Sequence, residues 1–364
     1  METMLACRLH GPGDLRLERV PLPALGPGEV LCRVVRSGLC GTDYAIYSGE
    51  FSFVRSGAIK FPMTPGHEWS GVVARVGPGV RRWVPGDRVV GDTAVACGAC
   101  SDCLLGNYYQ CAQARSVGTV NTWDGSHAEY IMMPERHLFA LPAGVSFDQG
   151  AMVEPAATAL HALNRAEVRL GDTVLVQGSG PIGIMAARLA KLAGAARVII
   201  TGRQEAKLQA ALALGADAAI NTGRDSLPSP HPHPLPGGEG VPEAVARCAP
   251  QGVDRVIEAS GSAELLKQSL QVVRPGGVVA AVAFYEQAVD GVDIDRLVLG
   301  SITLRGVAGS LGTYPAVLRL MEAGQLDFTP LITGRYPLAE VARAMQDMQE
   351  HRATRIKLML ELPQ

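Results

Sequence analysis

A glycine-rich turn between a buried strand and a helix is the feature that most restricts how this chain can fold. The apolar run Asp172–Gln177 leads into Gly178-Ser179-Gly180-Pro181-Ile182-Gly183, a helical pattern at 184–193 and another strand pattern at 197–201. Glycines at this spacing let the backbone approach a pyrophosphate, which the free N–H groups at the helix start can bind. Pro181 suits the first helical turn, where its missing N–H is not needed. The sequence therefore predicts a dinucleotide-binding unit in a doubly wound parallel sheet.

The length of 364 residues favours more than one domain. Residues 1–155 have the pattern of short strands separated by glycine and proline, whereas 156–299 alternate strand and helix patterns. The segment 300–364 is mixed and closes with an amphipathic helix and a strand, so we expect it to return to the first domain. The run 226–240 alternates prolines with two histidines, which predicts an extended loop rather than a metal site.

Four of the eight cysteines follow a C-x2-C-x2-C-x7-C spacing; they are Cys97, Cys100, Cys103 and Cys111. Small turn-forming residues between them allow the four sulfur atoms to converge, as they do in closed tetrathiolate zinc sites. Such a site keeps no open coordination position. We therefore predict a structural zinc lobe at about 92–115. Cys7, Cys32 and Cys248 have apolar neighbours and are predicted to be core residues.

The overall charge excludes several classes of partner. A formal net charge of −2 gives no basic excess for binding nucleic acid or an anionic membrane. No apolar stretch reaches the roughly 20 residues that a membrane-spanning helix needs, and residues 1–14 lack the pattern of a secretory leader. We therefore expect a cytoplasmic protein that acts on a small molecule and keeps its cysteines as thiols or metal ligands.

A second set of metal-ligating residues is spread along the chain. The run Cys40-Gly41-Thr42-Asp43 offers a thiolate, a hydroxyl and a carboxylate, while His67-Glu68 and Glu154 add an imidazole and carboxylate oxygens. Zinc accepts this mixture of sulfur, nitrogen and oxygen, and its catalytic sites keep one coordination position open. The sequence predicts a catalytic zinc site built from these three segments.

These motifs, in this order, resemble those of the zinc-containing medium-chain alcohol dehydrogenase superfamily. The likeness covers nearly the whole chain and is carried by 38–43, 66–68, 86–89, the four-cysteine segment and 178–183. The resemblance implies a split catalytic domain, in which both ends of the chain form a GroES-like β-barrel, with a Rossmann domain between them. It also implies a homodimer or homotetramer.

Within that superfamily, the chain is similar to the polyol (sorbitol-type) and threonine dehydrogenase branch. Simple alcohol dehydrogenases place a cysteine where this chain has Glu154, and the sequence Glu154-Pro155-Ala156-Ala157-Thr158 is closer to the polyol enzymes. Thr158 matches the contact that the family makes with the nicotinamide ring.

The resemblance also implies roles for the metal-ligating residues. Cys40, His67 and Glu154 are expected to hold the catalytic zinc, and Glu68 is expected to be a fourth or alternating ligand. One thiolate and one carboxylate already neutralise Zn²⁺, so a second carboxylate would weaken its Lewis acidity. Asp43 is expected to accept the other ring N–H of His67 and to fix its tautomer.

The expected proton path is less complete than in the relatives. Zinc would bind the substrate hydroxyl and favour its ionised form, hydride would pass to the nicotinamide, and Thr42 would relay the proton outward. Many polyol and threonine relatives have a histidine two residues after the aspartate, where this chain has Ala45. Tyr44, or solvent reached through Thr42, would have to replace it, unless Tyr44 only packs.

The end of the second Rossmann strand bears on the choice of cofactor. NAD enzymes normally place a carboxylate there for the ribose 2′-hydroxyl. This chain has Thr201-Gly202-Arg203, followed by Lys207, and two cations there favour the 2′-phosphate of NADP. The alternative is an NAD enzyme in which Arg203 is a solvated residue at a helix start.

The predicted function is oxidation of a secondary hydroxyl on a polyol, sugar alcohol or cyclitol with NAD(P). One alternative is an activity like that of L-threonine 3-dehydrogenase, and another is a non-catalytic nucleotide-binding redox sensor. The loop 48–63, which carries Phe51, Phe53, Arg55 and Lys60, is expected to border the substrate cleft. Its two cations would suit an anionic substrate or could simply be solvated.

Overall fold

The computed structural model describes residues 2–223 and 241–363. The chain forms two compact units, one made of Met1–Ala157 together with Gly309–Gln364 and the other of Thr158–Ala308. The predicted proline-rich loop 226–240 lies outside the described residues. No helix in the described ranges is both long enough and apolar enough to cross a bilayer.

The chain begins with short strands and helices, as the spacing of glycine and proline predicts. In order they are β1 (Thr3–Gly11), β2 (Asp14–Pro21), β3 (Glu29–Leu39), α1 (Gly41–Ser48), α2 (Ser52–Arg55), β4 (Glu68–Val76), β5 (Arg88–Gly91), β6 (Ala94–Val95), α3 (Ser101–Leu104), β7 (Arg115–Ser116), β8 (Tyr130–Pro134), β9 (Leu138–Ala140) and α4 (Phe147–Ala151). Short 3-10 turns lie at 108–110 and 135–137.

Longer helices then alternate with parallel strands. In order these are α5 (Val153–Ala166), β10 (Thr173–Gln177), α6 (Pro181–Leu192), β11 (Arg197–Gly202), α7 (Glu205–Ala213), β12 (Ala218–Asn221), α8 (Val241–Cys248), β13 (Val253–Glu258), α9 (Ala263–Val272), β14 (Val273–Ala281), α10 (Ile294–Leu299) and β15 (Thr303–Gly306). The chain ends with α11 (Tyr314–Glu322), β16 (Ile332–Pro337), α12 (Val341–Glu350) and β17 (Lys357–Glu361), with 3-10 turns at 329–331 and 338–340.

In the first unit, β3 is the central strand of a seven-stranded sheet. The sheet runs in the order β16-β17-β3-β4-β5-β9, and β8 also pairs with β3. β3 is antiparallel to β17, β4 and β8, so the end of the chain lies directly beside the strand that leads to Cys40. Val34, Trp69 and Leu358 are almost completely buried in the core of this sheet. Burial of each such side chain contributes roughly 1.5–3 kcal/mol.

The second unit is a six-stranded parallel sheet in the order β12-β11-β10-β13-β14-β15. Counted from its first strand, this is the order 3-2-1-4-5-6 of the Rossmann fold, and the strand order reverses beside β10. Its strands are apolar because helices cover a parallel sheet on both faces, and Leu175, Ile199 and Val256 are fully buried. The predicted fold class, a β-rich domain plus a doubly wound parallel-sheet domain, is confirmed.

Candidate metal centre and cofactor site

Cys40 and Asp43 are positioned by the junction between β3 and α1. Cys40 is the N-cap residue of α1, and Asp43 in the first turn accepts a hydrogen bond from the Cys40 backbone N–H at 2.8 Å. This arrangement is favourable because the side chain satisfies an N–H group that the helix leaves free. The Thr42 hydroxyl lies 3.7 Å from the Cys40 sulfur. Asp43 is completely buried, whereas Cys40 and Thr42 are partly exposed.

His67 and Glu68 stand at the start of β4, directly beside β3. Ligand atoms of Cys40, His67 and Glu68 all lie within 4.8 Å of one another. His67 Nδ1 is 3.6 Å from Asp43 Oδ1, so the carboxylate faces the ring. This distance is longer than a hydrogen bond, and the nitrogen has no hydrogen-bond partner among the described residues. A thiolate, an imidazole and a carboxylate that converge in this way form a donor set that fits zinc.

The charges around His67 shift its pKa in the direction opposite to the effect of burial. Burial lowers the pKa of His67, but the Asp43 carboxylate and the Cys40 thiolate raise it by more, so the pKa lies well above the ordinary value. Burial also raises the pKa of Asp43, but His67 and His127 lower it by more, and the carboxyl stays ionised. These neighbours thus favour the protonated form of the imidazole, whereas a metal binds the neutral form, so metal binding would displace a proton.

Lys357 is a buried partner of Glu68 that the sequence analysis missed. Its Nζ donates to both carboxylate oxygens of Glu68, at 2.6 and 2.7 Å, and to the carbonyl oxygen of Leu39 at 3.1 Å. Burial lowers the pKa of Lys357, but Glu68 and Cys40 raise it by more. A signal was present in the sequence, because a single lysine in the apolar run 356–360 can be buried only if it is paired.

Gly38 makes room for this ion pair. Gly38 on β3 lies opposite Glu68 on β4, and a Cβ atom on Gly38 would lie 2.3 Å from Glu68 Oε2. The glycine two residues before Cys40 is therefore needed for the position of the Glu68 side chain.

Glu154, near the start of α5, lies outside the set formed by Cys40, His67 and Glu68. Its Oε1 accepts a hydrogen bond from the Thr93 hydroxyl at 3.2 Å. Burial raises the pKa of Glu154 to about 7, an effect that His67 opposes and Glu68 increases.

The four predicted lobe cysteines converge. All four sulfur atoms lie within 4.8 Å of one another, and only Cys111 is buried. Cys97 Sγ accepts the backbone N–H groups of Ala99 and Cys100, both at 3.4 Å. These donors lower the pKa of Cys97 to about 6, so this sulfur is a thiolate at neutral pH and can bind a metal without first losing a proton. The four sulfurs form a closed donor set of the kind that holds structural zinc.

Tyr44 and Ala45 lie on α1 after Asp43. The Tyr44 ring packs 6.2 Å from the Tyr47 ring, and the Arg352 guanidinium lies 5.9 Å from its centroid. Ala45 packs against the apolar cluster that includes Ile46 and Phe51.

In the loop 48–63, α2 is followed by an irregular segment. Phe51 is buried and Phe53 is partly buried, while Arg55 and Lys60 are exposed. Arg55 donates to the carbonyl oxygen of Glu50.

The glycine-rich turn after β10 has the form that a dinucleotide requires. Gly178 has a φ of +107°, and a Cβ atom on Gly183 would lie 1.8 Å from the carbonyl oxygen of Gly178. A Cβ atom on Gly180, the N-cap of α6, would meet nothing within 4 Å, so the space beside this helix start is open. The residues therefore fit a pyrophosphate at the helix N-terminus.

The other predicted cofactor residues lie in the same unit. Pro181 and Ile182 form the first turn of α6 and are partly buried. Gly202 ends β11 and is followed by exposed Arg203, while Lys207 on α7 and Thr158 on α5 are partly buried.

Comparison with known proteins supports the interpretation of both units. The alcohol dehydrogenase GroES-like domain model matches residues 26–143, and the zinc-binding dehydrogenase model matches residues 181–323. Sorbitol dehydrogenase from Gallus gallus is 32% identical over 98% of this chain and 96% of its own length. L-threonine 3-dehydrogenase from Bacillus licheniformis is 32% identical over 99% of this chain and 100% of its own.

A similar solved structure is described as a zinc-binding dehydrogenase from Sinorhizobium meliloti 1021 bound to NADP. It has a TM-score of 0.88 and 30% identity, and the match covers 99% of this chain and 100% of that one. The resemblance noted in the sequence is confirmed, and with it the prediction of an enzyme rather than a sensor. This chain belongs to the zinc-dependent alcohol dehydrogenase family, whose members are NAD(P)-dependent oxidoreductases.

Proposed function

We propose that this enzyme oxidises a secondary hydroxyl of a polyol, sugar alcohol or cyclitol with a nicotinamide cofactor. The observation that carries the proposal is the convergence of Cys40, His67 and Glu68 within 4.8 Å, together with the Lys357 ammonium on Glu68. Cys40, His67 and Glu68 would hold one zinc ion, and the four cysteines of the lobe would hold a second. When bound, zinc makes a substrate hydroxyl more acidic and the nicotinamide accepts hydride.

Lys357 weakens the charge-based reason for keeping Glu68 away from a metal. Its ammonium bonds both carboxylate oxygens of Glu68 and offsets the charge of that carboxylate. Glu68 can therefore stay near a metal with less loss of Lewis acidity than an unpaired second carboxylate would cause.

Thr42 is the proposed exit for the substrate proton. Its hydroxyl lies 3.7 Å from the Cys40 sulfur and is partly exposed, so it can accept a proton at Oγ1 and pass it to solvent. Tyr44 is a poor substitute for the missing histidine, because its ring packs against Tyr47 and Arg352. We therefore expect Thr42→Val to slow turnover and Tyr44→Phe to have little effect.

The threonine dehydrogenase alternative is kept because a relative of that activity is as similar to this chain as the sorbitol dehydrogenase. The polyol substrate is favoured by the Glu154-Pro155 context, which is closer to the polyol enzymes. The decisive assay measures kcat/KM for polyols, cyclitols, sugar phosphates and L-threonine with both cofactors. We expect at least one polyol to exceed L-threonine about tenfold or more, and the reverse order would establish the alternative.

For the cofactor, we propose a preference for NADP over NAD. Arg203 follows Gly202 at the carboxyl end of β11, where its guanidinium can pair with a 2′-phosphate. Arg203→Ala should lower kcat/KM for NADP about tenfold and change that for NAD less than about twofold. Arg169→Ala, an exposed arginine before the amino end of β10, is the control. Equal effects on both cofactors would show that Arg203 does not recognise the 2′-phosphate of NADP.

A further inference from the structure

A row of fully buried polar side chains reaches Asp43, and the proposed chemistry does not use it. The row consists of Ser126, Ser37 and His127, and all three side chains, like Asp43 itself, are 0% exposed. Burial of polar groups costs free energy unless they are hydrogen-bonded. The hydrogen bonds of these side chains therefore bear on why they are buried beside Asp43.

The row ends at the same carboxylate that faces His67. Ser126 Oγ lies 2.7 Å from Ser37 Oγ, and Ser37 Oγ lies 2.9 Å from His127 Nδ1. His127 Nε2 lies 3.7 Å from Asp43 Oδ2, and His67 Nδ1 lies 3.6 Å from Asp43 Oδ1. Neither of these two imidazole nitrogens has a hydrogen-bond partner among residues 2–223 and 241–363. One buried carboxylate thus lies between two imidazoles.

The backbone fixes His127 against the segment that leads into His67. The N–H groups of Gly125, Ser126 and His127 donate to the carbonyl oxygens of residues 64–66 at 2.8–3.0 Å. A Cβ atom on Gly66 would lie 2.4 Å from His127 Nδ1. The glycine before His67 therefore leaves the space that the His127 ring occupies, and backbone hydrogen bonds join the two segments that carry these histidines.

The hydroxyl of Ser37 can select the tautomer of His127. If Ser37 donates to Nδ1, the ring proton is on Nε2 and points toward Asp43. Asp43 also accepts the N–H groups of Cys40 at 2.8 Å and Gly66 at 3.2 Å. Two backbone N–H groups thus hold the carboxylate, and the His127 N–H would face its Oδ2 at 3.7 Å, a distance longer than a hydrogen bond.

We propose that His127 is a positioning residue of the zinc centre. Together with Ser37 it holds Asp43 in place, and Asp43 holds the His67 ring toward the metal. This inference rests on the proposed function, in which His67 binds zinc. It predicts that His127 determines how firmly the catalytic zinc is retained and has no effect on the zinc of the lobe.

The test compares His127→Leu, which removes the N–H donor, with His127→Gln, which keeps an amide donor. Release of each zinc ion to a chromophoric chelator is followed in the purified enzyme. Cys40→Ser identifies the phase that belongs to the lobe. His127→Leu should release the catalytic zinc about tenfold faster or more, because residues that support a metal ligand typically change affinity 10–100-fold. His127→Gln should stay within about threefold of the wild type, and the lobe phase should not change.

The proposal is overturned if His127→Leu releases zinc at the wild-type rate, if Leu and Gln accelerate release equally, or if both phases accelerate together. Should His127→Leu fail to fold, Ser37→Ala tests the same row, and an unchanged release rate there would also overturn it. Zinc content and zinc release distinguish a wrong metal site from a wrong role for His127. If wild-type enzyme and Cys40→Ser contain the same amount of zinc, the proposed metal site is wrong, whereas normal zinc content with normal release in the His127 variants rejects only the role of His127.

Discussion

The two candidate metal sites of this chain are built in opposite ways. The lobe takes its four sulfurs from 15 consecutive residues, 97–111, and three of its four cysteines are partly exposed. The proposed catalytic site combines Cys40 after β3 with His67 and Glu68 at the start of β4, and β17 adds Lys357. In the lobe, backbone N–H groups support the Cys97 sulfur, whereas the proposed catalytic site has the buried charges of Asp43 and Lys357 beside its ligands. The donor atoms alone therefore identify a candidate metal site, whereas the charged residues that contact the donors bear on whether the site suits catalysis.

The strongest test separates the two metals. We expect Cys40→Ser to lower kcat/KM about 1,000-fold or more and to remove one zinc per chain, because the open site would be lost. Metal analysis should show that the lobe zinc remains. Cys248→Ser, a partly buried cysteine outside both sites, is the control and should keep both zincs. A fully active Cys40→Ser enzyme would contradict the assignment.

The second test removes the Lys357 ammonium, the buried charge beside Glu68 in the proposed catalytic site. In metal-free protein, Lys357→Met leaves Glu68 buried without a partner, and the free energy of unfolding should fall by about 3 kcal/mol. Urea unfolding measures this, with Lys60→Met, an exposed lysine of the same unit, as the control. The double variant Lys357→Met/Glu68→Gln should recover part of the loss. Equal stability of Lys357→Met and wild type would show that Glu68 does not need the ammonium.

The third test removes one cysteine ligand from the lobe. Cys103→Ser should remove the lobe zinc, retain the catalytic zinc and lower the melting temperature by about 5 °C, because zinc binding to a closed site contributes folding free energy. Calorimetry and metal analysis check this, and kcat/KM at 25 °C should stay within about threefold of wild type. A loss of activity as large as that of Cys40→Ser would mean that the two sites are not independent.

The smallest expected effect concerns Glu154. The resemblance makes it a zinc ligand, whereas the geometry groups Glu68 with Cys40 and His67. We expect Glu154→Gln to keep two zincs and to lower kcat/KM about tenfold, as for a residue beside the ligands. If metal analysis shows one zinc instead, Glu154 is a ligand, as the resemblance implies.

Much of this molecule could be predicted from its sequence because its main motifs are local. The residues that form the glycine-rich turn after β10 and the four-cysteine lobe lie within short spans of sequence, and glycine and proline between apolar runs indicate the short strands of residues 1–155. Lys357 could not be assigned, because it reaches Glu68 across 289 residues of sequence through the pairing of β17 with β3. His127 gave no signal either, since a histidine in a loop before a strand is an ordinary residue until its neighbours are known.

The late position of Lys357 also sets an order of events during synthesis. The ribosome completes the lobe at Cys111, and both Cys40 and Glu68 have been made by then, but the ammonium arrives only with β17. Until β17 pairs with β3, the Glu68 carboxylate lacks its ammonium partner. The charge that offsets this carboxylate is therefore added by the last strand of the described chain, after the segments that carry Cys40, His67 and the lobe cysteines.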